Sequence, residues 1–185
     1  MATIHPRMLL TYEDYLDLPD DGKRYEILEG ELAVTPAPNV SHQWTLFKLG
    51  LILGSHVEEH ELGTVLCAPC DVLLSEISVV QPDLLFVARE RESIVEHQYV
   101  KGPPDLVVEI LSPGTAHRDQ GAKRQLYAQH GVPYYWLIEP VNRELLVFQL
   151  DAGDYRQVAA ARGNETLVAP PFPNLTIPLA RLWRQ

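Results

Sequence analysis

The sequence predicts a mixed α/β fold, built on a sheet that has both parallel and antiparallel strands. Apolar runs of strand length recur along the chain, and two longer segments, residues 42–60 and 118–130, carry helical patterns with start or stop signals at their ends. The second helical segment lies between two strand-like runs, which is typical of a crossover that joins parallel neighbours. With 185 residues, 46% of them hydrophobic and 22% charged, the chain has the size of one domain, and we expect residues 1–185 to form a single unit.

The first predicted elements are a short helix and a hairpin. Thr11 is a candidate N-cap for an acidic helix over residues 12–18, which Pro19 and the turn at Asp20-Asp21-Gly22 would end. The segment RYEILEGELAV contains two strand-like runs on either side of Glu29-Gly30, so it predicts a β-hairpin.

A long helix is predicted after the loop TPAPN. Ser41 can cap a helix over residues 42–60 that is apolar on nearly every side, with the residues Trp44, Leu46, Phe47, Leu49, Leu51, Ile52 and Leu53. A helix of this kind is usually buried on two sides. We therefore expect one side to face the sheet and the other to face a second copy of the chain, which predicts a homodimer.

The rest of the chain supplies the predicted sheet. Its strands are GTVLCAPCDVLLS, DLLFVA and DLVVEIL, with a charged helical insert, RERESIVEHQ, before the last of them. A second helix is expected over residues 118–130, and YYWLIE and ELLVFQL after it form a hairpin. The order is helix, three strands, helix and strand, with extra hairpins at both ends. We expect an antiparallel meander first and a parallel neighbour after the second helix.

The charge balance limits the partners of this protein. There are 15 basic and 25 acidic residues, a net charge of -10, so the overall field repels nucleic acid and any binding needs a local patch or a bound cation. The two cysteines are too few for a disulfide scaffold and are typical of a reducing compartment. No apolar run has the length of a membrane span, and the N-terminal segment is acidic, so we expect a cytoplasmic protein with no membrane segment.

Two carboxylates lie at positions in predicted strands where they could together bind a metal ion. Asp83 follows Pro82 at the start of LLFVA, and Glu109 lies near the end of the apolar run DLVVEIL. If these strands are antiparallel neighbours, the start of one lies beside the end of the other, and the pair could hold a divalent cation such as Mg²⁺. Asp83 alone could instead be a strand-initiating residue that bonds to backbone. Glu109 is harder to explain in that way, because a buried acid is costly unless it is paired or metal-bound.

The second helix carries a local excess of positive charge. Residues 116–130 contain three basic residues and one acidic residue, and Asp119, Lys123 and Tyr127 fall on one stripe at i, i+4 and i+8. The segment is therefore a candidate surface for phosphate. The alternative is a solvated helix face with an Asp–Lys pair.

A competing metal site is possible at His56, His60, Cys67 and Cys70. An HxxxH pair on a helix followed by CxxC has the ligand types of a structural zinc site. The alternative is a solvated pair of histidines and two small core cysteines, since residues at i and i+3 of a strand face opposite sides. The cluster Tyr134-Tyr135-Trp136 is interpreted as strand core rather than as a base-stacking platform.

Five motifs in order resemble one known family. The strings YEILEGEL, NVSHQ, QPDLLF, GPPDLVVEILSPGT and RDQGAKRQLYAQHGVPYYWLIEP are similar to those of the Uma2 family of endonucleases, once catalogued as a domain of unknown function. The similarity extends from about Tyr12 to the C-terminal PLARLW. The family looks like a branch of the PD-(D/E)XK nuclease superfamily, so the resemblance implies a restriction-endonuclease-like mixed sheet core.

The resemblance also implies roles for residues. Pro82-Asp83 matches the PD element and Glu109 the second acidic element, and both would be metal ligands. The superfamily lysine would stand two residues after Glu109, where this chain has Leu111, and the family pattern points instead to Lys123 as a migrated lysine. Supporting positions that match the family are Asp119, Tyr127, Glu29 and His42.

The function that this resemblance implies is metal-dependent cleavage of nucleic acid. Asp83 and Glu109 would hold Mg²⁺ or Mn²⁺, and Lys123 would orient a water or stabilise the charged transition state of phosphodiester hydrolysis. We expect DNA as the substrate. Two other interpretations stay open: a catalytically silent binding module with the same fold, which Leu111 favours, and a hydrolase of another phosphoester.

Overall fold

The computed structural model describes residues 9–112 and 119–184, with the backbone alone at 119 and 120. Its helices are α1 (Tyr12–Leu16), α2 (Val40–Glu59) and α3 (Arg124–Gln129), and a π-helical turn, Asp119–Lys123, leads into α3. Two short 3₁₀ helices, Arg89–Ile94 and Leu179–Arg181, complete the helical segments of the described residues.

The strands form two larger sheets and one two-stranded pair. They are β1 (Arg24–Leu28), β2 (Glu31–Thr35), β3 (Gly63–Cys67), β4 (Asp71–Ser75), β5 (Ser78–Val80), β6 (Leu84–Ala88), β7 (Tyr99–Lys101), β8 (Leu106–Ile110), β9 (Tyr134–Glu139), β10 (Glu144–Asp151), β11 (Asp154–Arg162), β12 (Thr166–Ala169) and β13 (Phe172–Pro178). The central sheet has the order β11-β10-β9-β8-β6-β3, the second sheet has the order β2-β1-β5-β4-β7, and β12 pairs with β13.

The central sheet is mixed, as the sequence predicts. Strand β6 pairs antiparallel with both β3 and β8, and β8 pairs parallel with β9, with Leu106 opposite Tyr134. A parallel pair needs a crossover connection, and α3 lies on it. The predicted meander and the predicted crossover are both confirmed.

Alternating side chains divide the core between the two faces of this sheet. On β6, Leu84 and Phe86 belong to a cluster with Leu49 and Leu53 of α2. Leu85 and Val87 of the same strand belong to a second cluster on the opposite face, which includes Leu126 and Tyr127 of α3. Successive side chains of an extended strand point to opposite faces of the sheet. The same alternation decides toward which face each polar residue of β6 or β8 points.

The structure corrects several predicted boundaries. The segment predicted as one strand, GTVLCAPCDVLLS, is two strands in different sheets, because Pro69 has no N–H to continue the ladder. Helix α2 begins at Val40, and Asn39 caps it instead of Ser41, with its side-chain oxygen accepting from the His42 N–H at 2.9 Å. The charged insert forms a 3₁₀ helix.

Helix α2 is buried on one side in the described part of the chain. Its inward residues include Leu46, Leu49 and Leu53, whereas Val40, Trp44, Phe47 and Leu51 are exposed.

Among the described residues, we find no helix that combines the length and the apolar character of a membrane span.

Candidate active site

The sheet register brings Asp83 and Glu109 together. Strands β6 and β8 are antiparallel with Leu84 opposite Val108, so the residue before Leu84 lies across from the residue after Val108. Asp83 and Glu109 share the alternation of Leu85 and Val107, which places both on the α3 face of the sheet. Both are buried, and both line one cleft. The antiparallel neighbours assumed from the sequence are confirmed; a cation shared between the two carboxylates stays a prediction.

A third carboxylate enters the cleft from the second sheet. Glu26 lies on β1 and is 1% exposed, and Arg24, two residues earlier, lines the same cleft. Residues at i and i+2 of a strand share a face, which explains why both point there. The other face of β1 carries Ile27, which is buried in a small apolar cluster with Leu73 and Val79.

Lys123 joins two of these carboxylates. Its Nζ lies 2.6 Å from Glu109 Oε1 and 2.9 Å from Glu26 Oε1, and its side chain is buried. Glu26 Oε1 also accepts the Gln81 N–H at 2.8 Å. Burial alone would raise the pKa of Glu26, but the charge of Lys123 and the Gln81 N–H outweigh it, so the pKa lies below its ordinary value of 4.5. The ammonium is therefore the bridge between the two sheets at this point.

Asp83 is held by a cation, a backbone amide and a histidine. Oδ1 accepts from Arg24 Nη1 at 3.2 Å, and Oδ2 accepts the Ile110 N–H at 2.8 Å. His42 Nε2 lies 3.0 Å from Oδ2, and the Asn39 cap fixes the helix start that presents this ring. Burial would raise the pKa of Asp83, but His42, the Ile110 amide and Arg24 together outweigh it, and the pKa lies below 3.8. Asp83 is thus a carboxylate near neutral pH.

Tyr127 fixes the orientation of Glu109. Its hydroxyl donates to Glu109 Oε1 at 2.7 Å, and its ring is fully buried. Burial and the charges of Glu109 and Glu26 raise the pKa of Tyr127 well above 10.0. The phenol therefore stays protonated, and it acts as a hydrogen-bond donor to the carboxylate.

The cleft is small, and carboxylate oxygens are prominent in its lining. Its volume is about 20 Å³, enough for one water-sized occupant, and its lining includes the three carboxylates, Arg24, His42 and Lys123. Within the described residues, no three or more His, Cys, Asp or Glu side chains are arranged as a ready metal site. The Lys123 ammonium lies between Glu26 and Glu109 and contacts both.

Two of the predicted supporting residues are not seen in the cleft. Glu29 lies in the β1–β2 turn with φ of 50°, is exposed, and lines a separate groove beside Gln125 and Gln129. It cannot share the face of Glu26 because the strand has already ended at Leu28. The side chain of Asp119 lies outside the described residues.

The sequence pattern for zinc has no counterpart in the described part of the structure. No metal-binding group includes His56, His60, Cys67 and Cys70. The His56 ring instead contacts His60 and Phe172, at centroid distances of 4.3 and 5.9 Å, and both cysteines are free thiols.

Sequence reasoning missed Arg24 and Glu26. The pattern that could have revealed them is their i, i+2 spacing in RYEIL, because two charges on one face of a half-buried strand need partners in the fold. The same argument singled out Glu109 from its apolar strand.

Acid is expected to destabilise this cluster. Because the pKa values of Asp83 and Glu26 are lowered in the folded state, their contribution to stability is present above about pH 5 and is lost as pH falls through the ordinary values of 3.8 and 4.5 toward the folded ones. Urea unfolding between pH 7 and 3 should show a falling free energy of unfolding. Asp83→Asn should flatten this dependence, and an unchanged slope in that variant would contradict the assignment.

Known proteins resemble this chain both in sequence and in structure. A family model named Uma2, with the description "Putative restriction endonuclease", matches residues 12–180. The structure is similar to the crystal structure of a "putative nuclease belonging to DUF820" from Anabaena variabilis ATCC 29413, with a TM-score of 0.78 and 19% identity, over 94% of this chain and 97% of that chain. A search of curated proteins gives no significant match. The structural similarity confirms the predicted restriction-endonuclease-like mixed α/β core.

Proposed function

The chain belongs to the Uma2 family, and from this membership and the charged cleft we propose that it is a metal-dependent endonuclease that hydrolyses phosphodiester bonds of DNA. The family description names a restriction endonuclease, an activity directed at DNA. The observation that carries the proposal is the convergence of Asp83, Glu109 and Lys123 in one buried cleft.

The charges of the cleft support a catalytic role over a purely structural one. Among the described residues that line the cleft, three carboxylates, Glu26, Asp83 and Glu109, lie together with two permanent cations, Arg24 and Lys123. Burying so many ionisable groups in one cluster is costly, and proteins keep such clusters where they hold a cation or perform chemistry. Leu111 lies in the apolar core, so the amine at this site comes from Lys123.

The donor set fits a hard divalent cation. Carboxylate oxygens are the preferred ligands of Mg²⁺ and Mn²⁺, and we propose that Asp83 and Glu109 hold the ion with help from Glu26. When bound, the ion would lower the pKa of a water and neutralise charge on the phosphate. The Lys123 ammonium contacts Oε1 of both Glu109 and Glu26, so it would lie beside an ion that these carboxylates held.

The side chains of the cleft then have separate tasks. Lys123 holds a proton on Nζ. Its ammonium would present a point charge to a phosphate oxygen or to the attacking water. Tyr127 donates to Glu109 and keeps that carboxylate in place. Arg24 at Oδ1 and the Ile110 amide at Oδ2 do the same for Asp83, and His42 also contacts Oδ2.

The test of this function is cleavage by the purified protein. Supercoiled and linear DNA, single-stranded DNA and RNA are incubated with Mg²⁺ or Mn²⁺, and with EDTA as the control. We expect DNA cleavage that requires the metal. If nothing in the panel is cleaved, the silent binding module becomes the better interpretation; cleavage of RNA alone would keep the nuclease and overturn the DNA assignment.

Two glutamates of one hairpin provide a matched test of the site. Glu26→Gln is expected to lower cleavage by about a hundredfold, because it removes a buried charge that contacts Lys123. Glu29→Gln, in the exposed turn three residues later, is expected to cleave within about twofold of wild type. Equal losses in the two variants would contradict the proposal that Glu26 serves the site.

We also propose that the chain forms a homodimer through α2. Val40, Phe47 and Leu51 are large apolar residues on the exposed side of this helix, at 63%, 64% and 47% exposure. They recur at spacings of seven and four residues, as on one helix stripe. A second copy would cover this stripe with an identical one around a twofold axis.

Phe47→Glu is expected to convert the dimer to a monomer in light scattering at micromolar concentration. The charge would be buried against its own copy across a twofold interface. Val141→Glu is the control, since Val141 is 83% exposed in a turn outside α2. A wild type with the monomer mass would refute the dimer.

A further inference from the structure

A second groove lies between α2 and the C-terminal segment. Its volume is about 450 Å³, and its lining consists of Trp44, Lys48, Ala180, Arg181, Trp183 and Arg184. Three of these six residues are basic and none is acidic. In a chain with a net charge of -10, this is a local reversal of sign.

The groove is built into the fold. Thr45 of α2 is fully buried, and its hydroxyl donates to the Leu182 carbonyl at 3.0 Å. Leu182 is itself buried, and the indole of Trp183 donates to the Gly163 carbonyl. The backbone that carries Arg181 and Arg184 is therefore fixed beside α2.

The basic side chains of the groove lie at the surface. In the described parts of the chain, Lys48, Arg181 and Arg184 form no ion pair, and both arginines are exposed. Lys48 Nζ lies 4.7 Å from the centre of the Trp44 ring, a cation–π contact that holds the ammonium at the groove. Trp44 is 38% exposed, so part of its ring is available for stacking.

We propose that this groove binds the phosphodiester backbone of the nucleic acid that the cleft cleaves, an inference that rests on the proposed function. Arginine and lysine side chains neutralise phosphates, and an exposed aromatic ring stacks on a base. Helix α2 links the two places, since His42 lines the cleft and Lys48 lines the groove. Lys48 follows His42 by six residues, which corresponds to about 9 Å along the helix axis.

This groove resolves the conflict between the acidic chain and an anionic substrate. Among the described residues, the lining of the cleft contains three carboxylates and two permanent cations, so it offers a polyanion little attraction of its own. A cationic groove one helix segment away supplies attraction that does not depend on the metal.

The experiment measures binding without cleavage. Wild type and the double variant Arg181→Ala/Arg184→Ala are titrated against a fluorescein-labelled DNA oligonucleotide in EDTA, over a range of salt concentrations, and anisotropy is recorded. We expect the variant to bind about tenfold more weakly or worse. The slope of log K against log salt should fall by about 1.4–1.8, for two lost phosphate contacts.

A second double variant is the charge-matched control. Lys101→Ala/Arg156→Ala also removes two exposed cations, from β7 and β11, which do not line the groove. It should bind within about twofold of wild type. An equal loss in this control would mean that overall charge decides binding, and the groove assignment would be overturned.

Other outcomes separate the groove from the proposed nuclease activity. If the groove variant loses DNA binding but keeps metal-dependent hydrolysis of bis(p-nitrophenyl) phosphate, a substrate too small to need the groove, the inference is supported. If wild type cleaves DNA and the groove variant binds it normally, the groove assignment fails alone. If wild type binds through the groove and cleaves nothing, the nuclease proposal fails alone. Loss of binding to phosphatidylserine vesicles without loss of DNA binding would overturn the choice of partner.

Discussion

Lys123→Met is expected to lower metal-dependent cleavage by about a hundredfold or more and to destabilise the protein by about 3–5 kcal/mol. The ammonium is buried and contacts Glu109 at 2.6 Å and Glu26 at 2.9 Å, so its removal leaves two buried carboxylates with less compensation. Methionine keeps the length of the side chain and removes the charge. Cleavage assays and urea unfolding at neutral pH measure the two effects.

A double variant separates the two roles of this lysine. Lys123→Met combined with Glu109→Gln removes one of the stranded charges, so part of the lost stability should return. Cleavage should not return, because the proposed metal ligand Glu109 and the positive charge of Lys123 are then both missing. Lys101→Met, at an exposed position on β7, is the control. If Lys123→Met cleaves as wild type does, the catalytic role of the lysine is wrong, whatever happens to stability.

Asp83→Asn is expected to reduce cleavage by about two orders of magnitude or more and to weaken Mn²⁺ binding in calorimetry. The amide preserves the shape of the side chain and removes the charge that would hold the ion. It also weakens the contacts with Arg24 and the Ile110 N–H, and hydrogen bonds to charged groups contribute about 1.5–3 kcal/mol to stability.

Asp105 offers a matched control for that substitution. One of its oxygens accepts the Ala88 N–H at 2.8 Å and the other pairs with Arg91 at 2.8 Å, the same two kinds of partner that hold Asp83. Asp105→Asn should therefore lose stability without losing cleavage, since Asp105 does not line the cleft. Equal losses of cleavage in both variants would show that destabilisation, and not a missing ligand, explains the result at Asp83.

The candidate site could be found in part from local sequence. Asp83 is noticeable at the start of an apolar run, and Glu109 lies within one, where burial is costly for an unpaired carboxylate. Lys123 and Tyr127 needed the family resemblance, since on a helix face they are indistinguishable from solvated residues. The family resemblance points to Glu29, whereas Glu26 lines the cleft, and a hairpin sequence does not show which of its acids faces inward.

Local sequence is sufficient to predict the order of the central helices and strands along the chain, the antiparallel meander and the parallel crossover. These follow from local periodicity and from the length of the connections, which are properties of consecutive residues. The fold, and no local pattern, shows that β1 of the second sheet brings Arg24 and Glu26 to Asp83, Glu109 and Lys123. It also decided that Pro69 divides one apolar run between two sheets and that Arg181 and Arg184 lie beside α2. The physical reason is that these contacts join residues far apart in the chain, and their partners are selected by packing and charge in the folded core.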